Sequence, residues 1–266
     1  MEQLPELPFI ELPVTDSTNN YALHQIHAGL ARHGTAYFAR EQSAGKGQRG
    51  KSWLADKDQS VLLSVVVNPH PLAIQRQFEF SAFVAVTVAG FLETYAGPGI
   101  KIKWPNDIYW QDRKAGGILI ENVVKAGSGK ARNQGRELNA GAVWEWAVAG
   151  IGLNIGQQHF PENLENPVSL KQITGVSYQP SSLAKELQLL IINNFKRLVS
   201  RDGGINFYND YIELLYKRGE TVKLKRANMV FEATIIGVTR QGRLLARHAF
   251  EEEIDHGAVE WLLPGK

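Results

Sequence analysis

The stretch Ser43-Ala44-Gly45-Lys46-Gly47-Gln48-Arg49-Gly50-Lys51-Ser52-Trp53, with the run Ser60-Val61-Leu62-Leu63-Ser64-Val65-Val66-Val67 after it, decides the predicted fold. Its three glycines match the pattern G-x-G-x-x-G, but a dinucleotide loop must open a helix whose N-terminus faces the pyrophosphate. Here a polar turn follows, and then a β-branched run that is typical of a buried strand. We therefore predict a glycine loop between strands and reject a doubly wound dinucleotide fold.

The glycine loop still has the composition of an anion site. Glycines let the backbone approach an anion and present N–H groups to it. Lys46, Arg49 and Lys51 add positive charge, and Trp53 offers an aromatic plane on which a base can stack. The alternative is a solvated hairpin loop whose charges only aid solubility.

A second constellation follows the alternating segment Ile100 to Trp104, which is typical of a half-exposed strand. Pro105 must bend or end this strand, and Asn106 and Asp107 are natural turn residues. The functional interpretation places Asn106 and Asp107 at a phosphate or a metal, with Lys103 pointing the same way. The alternative is a simple strand end with a turn.

Two glycine pairs lie in later predicted strands. Gly116 and Gly117 follow Lys114, and Gly150 and Gly152 lie in the predicted strand from Trp144 to Ile155. Glycines in a strand permit the close approach of a ligand, and they equally mark a bulge or a tight sheet crossing.

The remaining pattern predicts a mixed α+β fold. Helices are expected after Ser17, over residues 75–95, after Ser181 or Ser182, and over 205–216; further strands are expected over 35–40 and 117–124. Residues 125–142 are polar and glycine-rich, which predicts a long loop or a hairpin tip. After Gly219, short strands separated by turns predict a small five-strand barrel, with a boundary near residue 217.

Composition narrows the class of protein. The 266 residues suit one large domain, alone or with a small appendage, and the formal net charge of +2 indicates no general nucleic-acid binder. The absence of cysteine excludes disulfides, thiolate metal sites and a cysteine nucleophile. We expect neither a membrane span nor a signal peptide, and therefore a cytoplasmic protein.

Five segments together resemble the biotin–protein ligases in order and approximate spacing. They are Ser17-Thr18-Asn19, Glu41 to Trp53, Lys103-Trp104-Pro105-Asn106-Asp107, Lys114 to Leu119 and Gly150 to Asn154. The resemblance covers roughly residues 10–200. The tail from residue 217 is similar to the small SH3-like C-terminal domain of the same family.

The resemblance implies a catalytic core related to class II aminoacyl-tRNA synthetases over residues 1–216 and an SH3-like β-barrel over 217–266. It also implies that the protein condenses biotin with ATP to biotinyl-5′-AMP. Biotin then passes to one lysine of a biotin carboxyl carrier protein or domain of a biotin-dependent carboxylase, such as acetyl-CoA carboxylase. Mg²⁺ is expected to be bound mainly through the ATP phosphates, with no dedicated protein metal site.

The resemblance also assigns residue roles. Catalytic roles are implied for Lys114, Lys46 and Arg49. The residues implied in binding biotin are Ser17, Thr18, Asn19, Gln42, Gly45, Lys46, Gly47, Gln48, Lys114, Gly116 and Gly117. Those implied in binding ATP or the adenylate are Arg49, Gly50, Lys51, Trp53, Lys103, Asn106, Asp107, Gly152 and Asn154.

Two consequences follow from the implied chemistry. The acceptor lysine supplies the nucleophile, so the enzyme needs none of its own. The mixed anhydride must be kept from water, so we predict that residues 43–53 are mobile without ligand and close over the intermediate. The family loop often carries an arginine where this chain has Gln48, and we expect Arg49 and Lys51 to compensate.

Other functions stay open at this point. A lipoate–protein ligase belongs to the same superfamily, and a non-catalytic biotin-binding or carrier-docking module would use the same surface. Some family members begin with a DNA-binding domain and act as repressors; because Ser17-Thr18-Asn19 comes so early, we expect no DNA partner. A homodimer is compatible with the family.

Overall fold

The computed structural model describes residues 7–126, 130–133, 136–139, 142–162, 164, 166–200 and 202–262. The strands of this part of the chain are β1 (Phe9–Leu12), β2 (Ala36–Ala39), β3 (Ser60–Val67), β4 (Ile100–Lys103), β5 (Asp107–Trp110), β6 (Arg113–Lys125), β7 (Lys130–Asn133), β8 (Arg136–Asn139), β9 (Val143–Asn154), β10 (Thr221–Arg226), β11 (Met229–Val238), β12 (Leu244–Arg247), β13 (Glu251–Ile254) and β14 (Glu260–Leu262). The α-helices are α1 (Thr18–His27), α2 (Gln77–Ala96), α3 (Leu170–Thr174), α4 (Pro180–Leu198) and α5 (Gly203–Glu213).

A seven-stranded sheet in the order β1-β2-β3-β9-β6-β5-β4 forms the larger unit. β1 and β2 are parallel, and the other neighbours are antiparallel. β3 pairs with β9 along its whole length, with Leu62 opposite Gly152 and Ser64 opposite Gly150. Because side chains alternate along a strand, these residues share one face of the sheet.

The opposite face carries the main core. Val61, Leu63 and Val65 of β3 pack there with α2 and α4. The segment Ile74–Ala96 is long and apolar enough to resemble a membrane span, but 61% of its most apolar window is buried inside the fold. It contacts the sheet, α4 and α5, which accounts for apolar residues around most of its circumference.

Helix α1 packs on the face that carries Ser64. Ala22 and Ile26 form a second apolar cluster there with Tyr37, Val66 and Val148. The helix contacts β2, β3 and β9, and it begins at Thr18 beside the small residues of β9. This arrangement places the N-terminus of α1 at the edge of a cleft.

The C-terminal strands form a five-stranded antiparallel sheet in the order β13-β12-β11-β10-β14. The chain reaches it after passing the edge strand β4, where Ile102 N donates to Leu214 O at 2.8 Å and Tyr216 N to Ile102 O at 2.9 Å. The Tyr216 hydroxyl also donates to Asp112 Oδ1 at 2.6 Å. The predicted five-strand unit is confirmed as a sheet, while its closure into a barrel stays a prediction.

Several predicted boundaries were wrong. Asp107 was expected to be a turn residue, and no strand was predicted after it. Residues 107–110 instead form β5, because the turn at residues 104–106 is tight enough for Lys103 to pair with Asp107. β13 was missed because glutamates rarely favour strands. It forms because Glu251 and Glu253 lie 3.0 and 3.3 Å from Arg247 and Arg243.

The region from 125 to 142 contains the hairpin β7–β8, so the predicted hairpin tip is confirmed for residues 130–133 and 136–139. Residues 127–129, 134–135 and 140–141 lie outside the described residues. The short helix α3 was also missed; its Ser169 and Gln172 form a capping box.

Candidate functional site

A cavity of about 860 Å³ lies between the α1 face of the large sheet and the C-terminal sheet. Its floor comes from the N-terminus of α1 and from β3, β6 and β9, its lid from the glycine loop, and its far wall from β10 and the turn between β13 and β14. The predicted site residues that line it are Ser17, Thr18, Asn19, Gln42, Lys46, Gly47, Gln48, Arg49, Lys51, Trp53, Lys103, Asn106, Asp107, Lys114, Gly117, Gly152 and Asn154.

Polar side chains at the start of α1 form one end of the floor. Gln42 Oε1 accepts from Thr18 N at 2.7 Å and lies 3.1 Å from Thr18 Oγ1. Ser64 Oγ, which is fully buried, lies 2.8 Å from Thr18 Oγ1 and 2.6 Å from Asn19 Oδ1. Asn19 Nδ2 donates to Glu121 Oε2 at 2.7 Å. A polar ligand group is therefore matched here by fixed side chains.

Small residues keep the middle of the floor open. A Cβ at Gly152 would lie 2.5 Å from Trp53 Cε2, and one at Gly117 would lie 3.2 Å from Trp53 Cζ3. A Cβ at Gly150 would lie 2.3 Å from Asn19 Oδ1. Gly117, Gly150 and Gly152 thus allow the close approach of protein side chains, which is Trp53 at two of them, while the predicted approach of a ligand stays a prediction.

The glycine loop folds back on itself above this floor. Gly47 N donates to Lys51 O at 2.7 Å, and Trp53 N donates to Gly45 O at 2.8 Å. Arg49 has the left-handed conformation, with φ 56° and ψ 41°, which costs a non-glycine residue about 1–2 kcal/mol. Lys46 Nζ lies 3.8 Å from Glu121 Oε1, which ties the loop to the floor.

Lys114 lines the cavity close to Trp53. Its Nζ is 2.7 Å from Asp107 Oδ1 and 5.9 Å from the centre of the Trp53 ring. Its backbone is fixed on both sides, because its N donates to Asn166 O and its O accepts from Val168 N, both at 2.9 Å. An ammonium group is thereby held in place beside the polar floor.

Asn106 and Asn154 hold the structure of the cavity wall. Asn106 Nδ2 donates to Ile118 O, and Asn154 Nδ2 donates to Val168 O at 3.2 Å. Lys103 is buried, and its Nζ lies 3.3 Å from the Tyr109 hydroxyl. Both asparagines line the cavity, but these amide protons already have backbone partners.

Three predicted site residues do not line the cavity among the described residues: Gly45, Gly50 and Gly116. Gly116 faces the core, since a Cβ there would lie 2.5 Å from Leu153 Cδ2. Gly45 supports the site from behind, where a Cβ would lie 2.4 Å from Trp53 O and 2.8 Å from Gln42 Nε2. Gly50 has φ +75° and open space around it, so glycine is favoured there by the backbone conformation and not by a close contact.

The far wall was not predicted from the sequence. It consists of Lys225, Ala227 and residues 256–261, all from the C-terminal sheet. The His256 ring meets the Trp104 ring edge-on at 5.7 Å, and Trp104 Nε1 donates to Gly242 O at 2.9 Å. Burial and the nearby Arg49 guanidinium lower the pKa of His256. The Asp255-His256-Gly257 turn was visible in the sequence, but nothing in it indicated the cavity.

The described residues hold no group of three histidine, aspartate or glutamate side chains placed to bind a metal. Asp107 and Glu260 are the carboxylates on the cavity wall. This donor set fits a divalent cation that is held mainly by a ligand's phosphates, because Mg²⁺ needs only one or two protein oxygens in such sites.

Comparisons with known proteins agree with this geometry. Residues 11–132 match the model of the biotin/lipoate A/B protein ligase family. The chain is 28% identical to the bifunctional ligase/repressor BirA of Escherichia coli, over 88% of this chain and 67% of the relative. It is 28% identical to the biotin–[acetyl-CoA-carboxylase] ligase of Paracoccus denitrificans, over 88% of this chain and 91% of the relative.

The fold matches a solved structure with a TM-score of 0.74. That structure is the biotin protein ligase of Aquifex aeolicus in complex with biotin and ATP; it is 22% identical, and the match covers 96% of this chain and 98% of that one. The mixed α+β class predicted from the sequence is thereby confirmed. Fold, family model and curated relatives agree: residues 11–132 match the biotin/lipoate A/B protein ligase family, and the curated relatives that the chain resembles are biotin–protein ligases.

Proposed function

We propose that the chain is an ATP-dependent ligase that activates biotin as biotinyl-5′-AMP and transfers it to a lysine of a biotin carboxyl carrier domain. The observation that carries the proposal is the position of Lys114, held 2.7 Å from Asp107 in the same cavity as the Thr18–Gln42 polar floor. One cavity thus offers both hydrogen-bond partners for a polar ring and a fixed cation.

Lys114 is proposed to act in the first step, in which the biotin carboxylate attacks the α-phosphorus of ATP and pyrophosphate leaves. Two anions must meet in this step. An ammonium between them lowers their repulsion and stabilises the charge that develops in the transition state. Lys46 and Arg49 of the lid are proposed to add charge from above, since both line the cavity.

Trp53 and the backbone around it are proposed to hold the nucleotide. Trp53 lies on Gly152, and its Nε1 is buried without a hydrogen-bond partner among the described residues. A buried donor without a partner costs about 1–3 kcal/mol, which a ligand acceptor would recover. Lys51, Lys103 and Asp107 line the same cavity.

Magnesium, when bound with ATP, would neutralise phosphate charge, and Asp107 is the proposed protein ligand. In the second step the carrier lysine attacks the acyl carbonyl, the new amide forms, and AMP leaves. The protein must exclude water until the carrier arrives, and the lid formed by residues 43–53 is proposed to do this.

The finer assignments belong to the same proposal. We place the domain boundary at residues 216 and 217, just before the C-terminal sheet that begins at Thr221. The proposed location is the cytoplasm, where the protein would meet both a carboxylase carrier and ATP. A homodimer is proposed from the family resemblance, and sedimentation tests it.

Isotope exchange between pyrophosphate and ATP tests the first step. The proposal predicts exchange that requires biotin, is not supported by lipoate, and is lost in Lys114→Ala. Exchange that lipoate supports better than biotin would favour the lipoate ligase, and binding of biotin without any exchange would favour a non-catalytic module.

A further inference from the structure

Glu121 and Ser64 lie behind the polar floor, and neither is on the cavity wall among the described residues. They are joined to the floor through Asn19. We propose that Glu121 and Ser64 are specificity-determining positioning residues: they fix the direction of the floor's hydrogen bonds so that it accepts an N–H beside a C=O. This inference rests on the proposed function, because a cyclic urea is the part of biotin that carries this pair.

The Asn19 amide has a fixed orientation. Its Nδ2 donates to Glu121 Oε2 at 2.7 Å and lies 3.3 Å from Leu119 O. A carboxylate and a backbone carbonyl can only accept, so both amide protons of Asn19 point towards them. Asn19 Oδ1 is therefore turned towards Ser64.

The Ser64 hydroxyl has a single proton to donate. Ser64 Oγ lies 2.6 Å from Asn19 Oδ1, which can only accept, so the proton goes to Asn19. With that proton on Asn19, the 2.8 Å contact between Ser64 Oγ and Thr18 Oγ1 offers Thr18 an acceptor and no donor. Ser64 is 0% exposed, so no solvent molecule competes for these positions.

These contacts determine which floor atoms donate and which accept hydrogen bonds. The other neighbour of the Thr18 hydroxyl, Gln42 Oε1 at 3.1 Å, is also an acceptor, so with the Ser64 proton on Asn19 neither lone pair of Thr18 Oγ1 is used inside the protein. Thr18 Oγ1 therefore meets the cavity as an acceptor. Gln42 Oε1 is occupied by Thr18 N at 2.7 Å, which leaves Nε2 as the donor of the Gln42 amide.

An acceptor beside a donor is the complement of adjacent N–H and C=O groups, as in a cyclic urea. A dithiolane ring offers neither group and would leave both partners unpaired. Sites built to hydrogen-bond a ligand reject analogues that lack the group by factors of about 10⁴–10⁵. The relay from Glu121 to Thr18 thus accounts for a preference for biotin over a lipoyl group.

Calorimetry without ATP tests the relay. It measures the binding of biotin, and of biotin methylated at either ureido nitrogen, to Glu121→Ala, Ser64→Ala and the double variant. Without Glu121, Asn19 is no longer held, and Ser64 is released to donate to Thr18. We expect about tenfold weaker binding of biotin in each single variant, the value of one hydrogen bond of about 1.4 kcal/mol. The affinity for each methylated analogue should stay unchanged, so the difference between its affinity and that of biotin becomes smaller.

The double variant separates a relay from two structural roles. A relay predicts that Glu121→Ala adds nothing once Ser64 is removed, whereas independent roles add. The matched controls are Ser60→Ala, a buried serine on the same strand bonded to Gln157, and Glu145→Ala, a glutamate paired with Lys125. Both should bind as the wild type does.

Two results would overturn the relay: additive losses, or equal losses for biotin and its methylated analogue. Loss of the exposed Lys46–Glu121 ion pair acts equally on both ligands and cancels in their ratio. If Ser64→Ala fails to fold, the ligand ratio in Glu121→Ala decides alone, since that side chain is partly exposed. Absence of biotin binding in the wild type would instead overturn the proposed function itself.

Discussion

The guanidinium of Arg49 lies directly on the backbone of Gly257, where a Cβ would be 1.3 Å from Nη1 and 2.0 Å from Cζ. The glycine loop and the C-terminal sheet therefore meet at one residue pair. Gly257 has φ +78°, which suits glycine, but the space that it leaves is what admits Arg49.

Gly257→Ala is predicted to displace Arg49 and loosen the lid. We expect the release of biotinyl-AMP in the absence of carrier to accelerate about tenfold, as for one lost contact of about 1.4 kcal/mol. Gly219→Ala is the matched control, because Gly219 has φ +80° and nothing within 4 Å of its Cβ position. Equal release rates in the two variants would show that only backbone strain matters.

A pH dependence should follow from His256. Burial first, and then Arg49, lower its pKa from the ordinary value of 6.5, so the folded state resists protonation. The unfolded chain then binds more protons below about pH 6.5, and the free energy of unfolding falls as the pH drops towards the folded pKa. This contribution is fully present above the unfolded pKa.

Urea denaturation at about pH 7.5 and about pH 5.5 checks this sign. The wild type should lose more stability on acidification than His256→Gln, which has no ring to protonate. Arg49→Ala should raise the pKa of His256 in an NMR titration. A larger acid loss in His256→Gln than in the wild type would refute the assignment.

Lys114→Ala should lower the rate of adenylate formation by about 10²–10³, the usual effect of removing one electrostatic group from a transition state. Biotin binding should weaken by much less, because the Thr18–Gln42 polar floor stays intact. Lys125→Ala is the control: it lies on the same strand β6, is exposed, and pairs with Glu145. A comparable loss in both variants would argue against a catalytic role.

Gly152→Ala should push Trp53 out of its position, since the added Cβ would lie 2.5 Å from the indole. We predict a higher KM for ATP with little change in the KM for biotin. Gly237→Ala, whose Cβ would meet only Ile212 Cδ1 at 3.9 Å, serves as the control on another strand. An unchanged KM for ATP in Gly152→Ala would remove Trp53 from the nucleotide site.

The sequence predicted the strands and helices whose apolar residues repeat clearly. β3 was predicted with its observed bounds, because Ser60–Val67 is a buried run that only a central strand explains. β5 and β13 were missed because tertiary pairing overrode local preference. Asp107 is paired with Lys103 through a tight turn, and the glutamates of β13 are balanced by arginines of β10 and β12.

Residues that belong to a sequence motif, such as Thr18 and Lys114, were predicted to lie at the site, and both line the cavity. The site was not predictable where partners come from distant strands. Glu121 and Ser64 have no motif of their own, and only the pairing of β6 and β3 with β9 brings them to Asn19. The same holds for His256 and Gly257, which reach the cavity because the C-terminal sheet packs against Trp104.

Transfer of labelled biotin tests the central claim most directly. The purified chain is incubated with labelled biotin, ATP, Mg²⁺ and a biotin carrier domain, and in parallel with a carrier whose acceptor lysine is replaced by arginine. The account predicts ATP-dependent label on the intact carrier and none on the arginine variant. No label on the intact carrier, or label that appears without ATP, would contradict it.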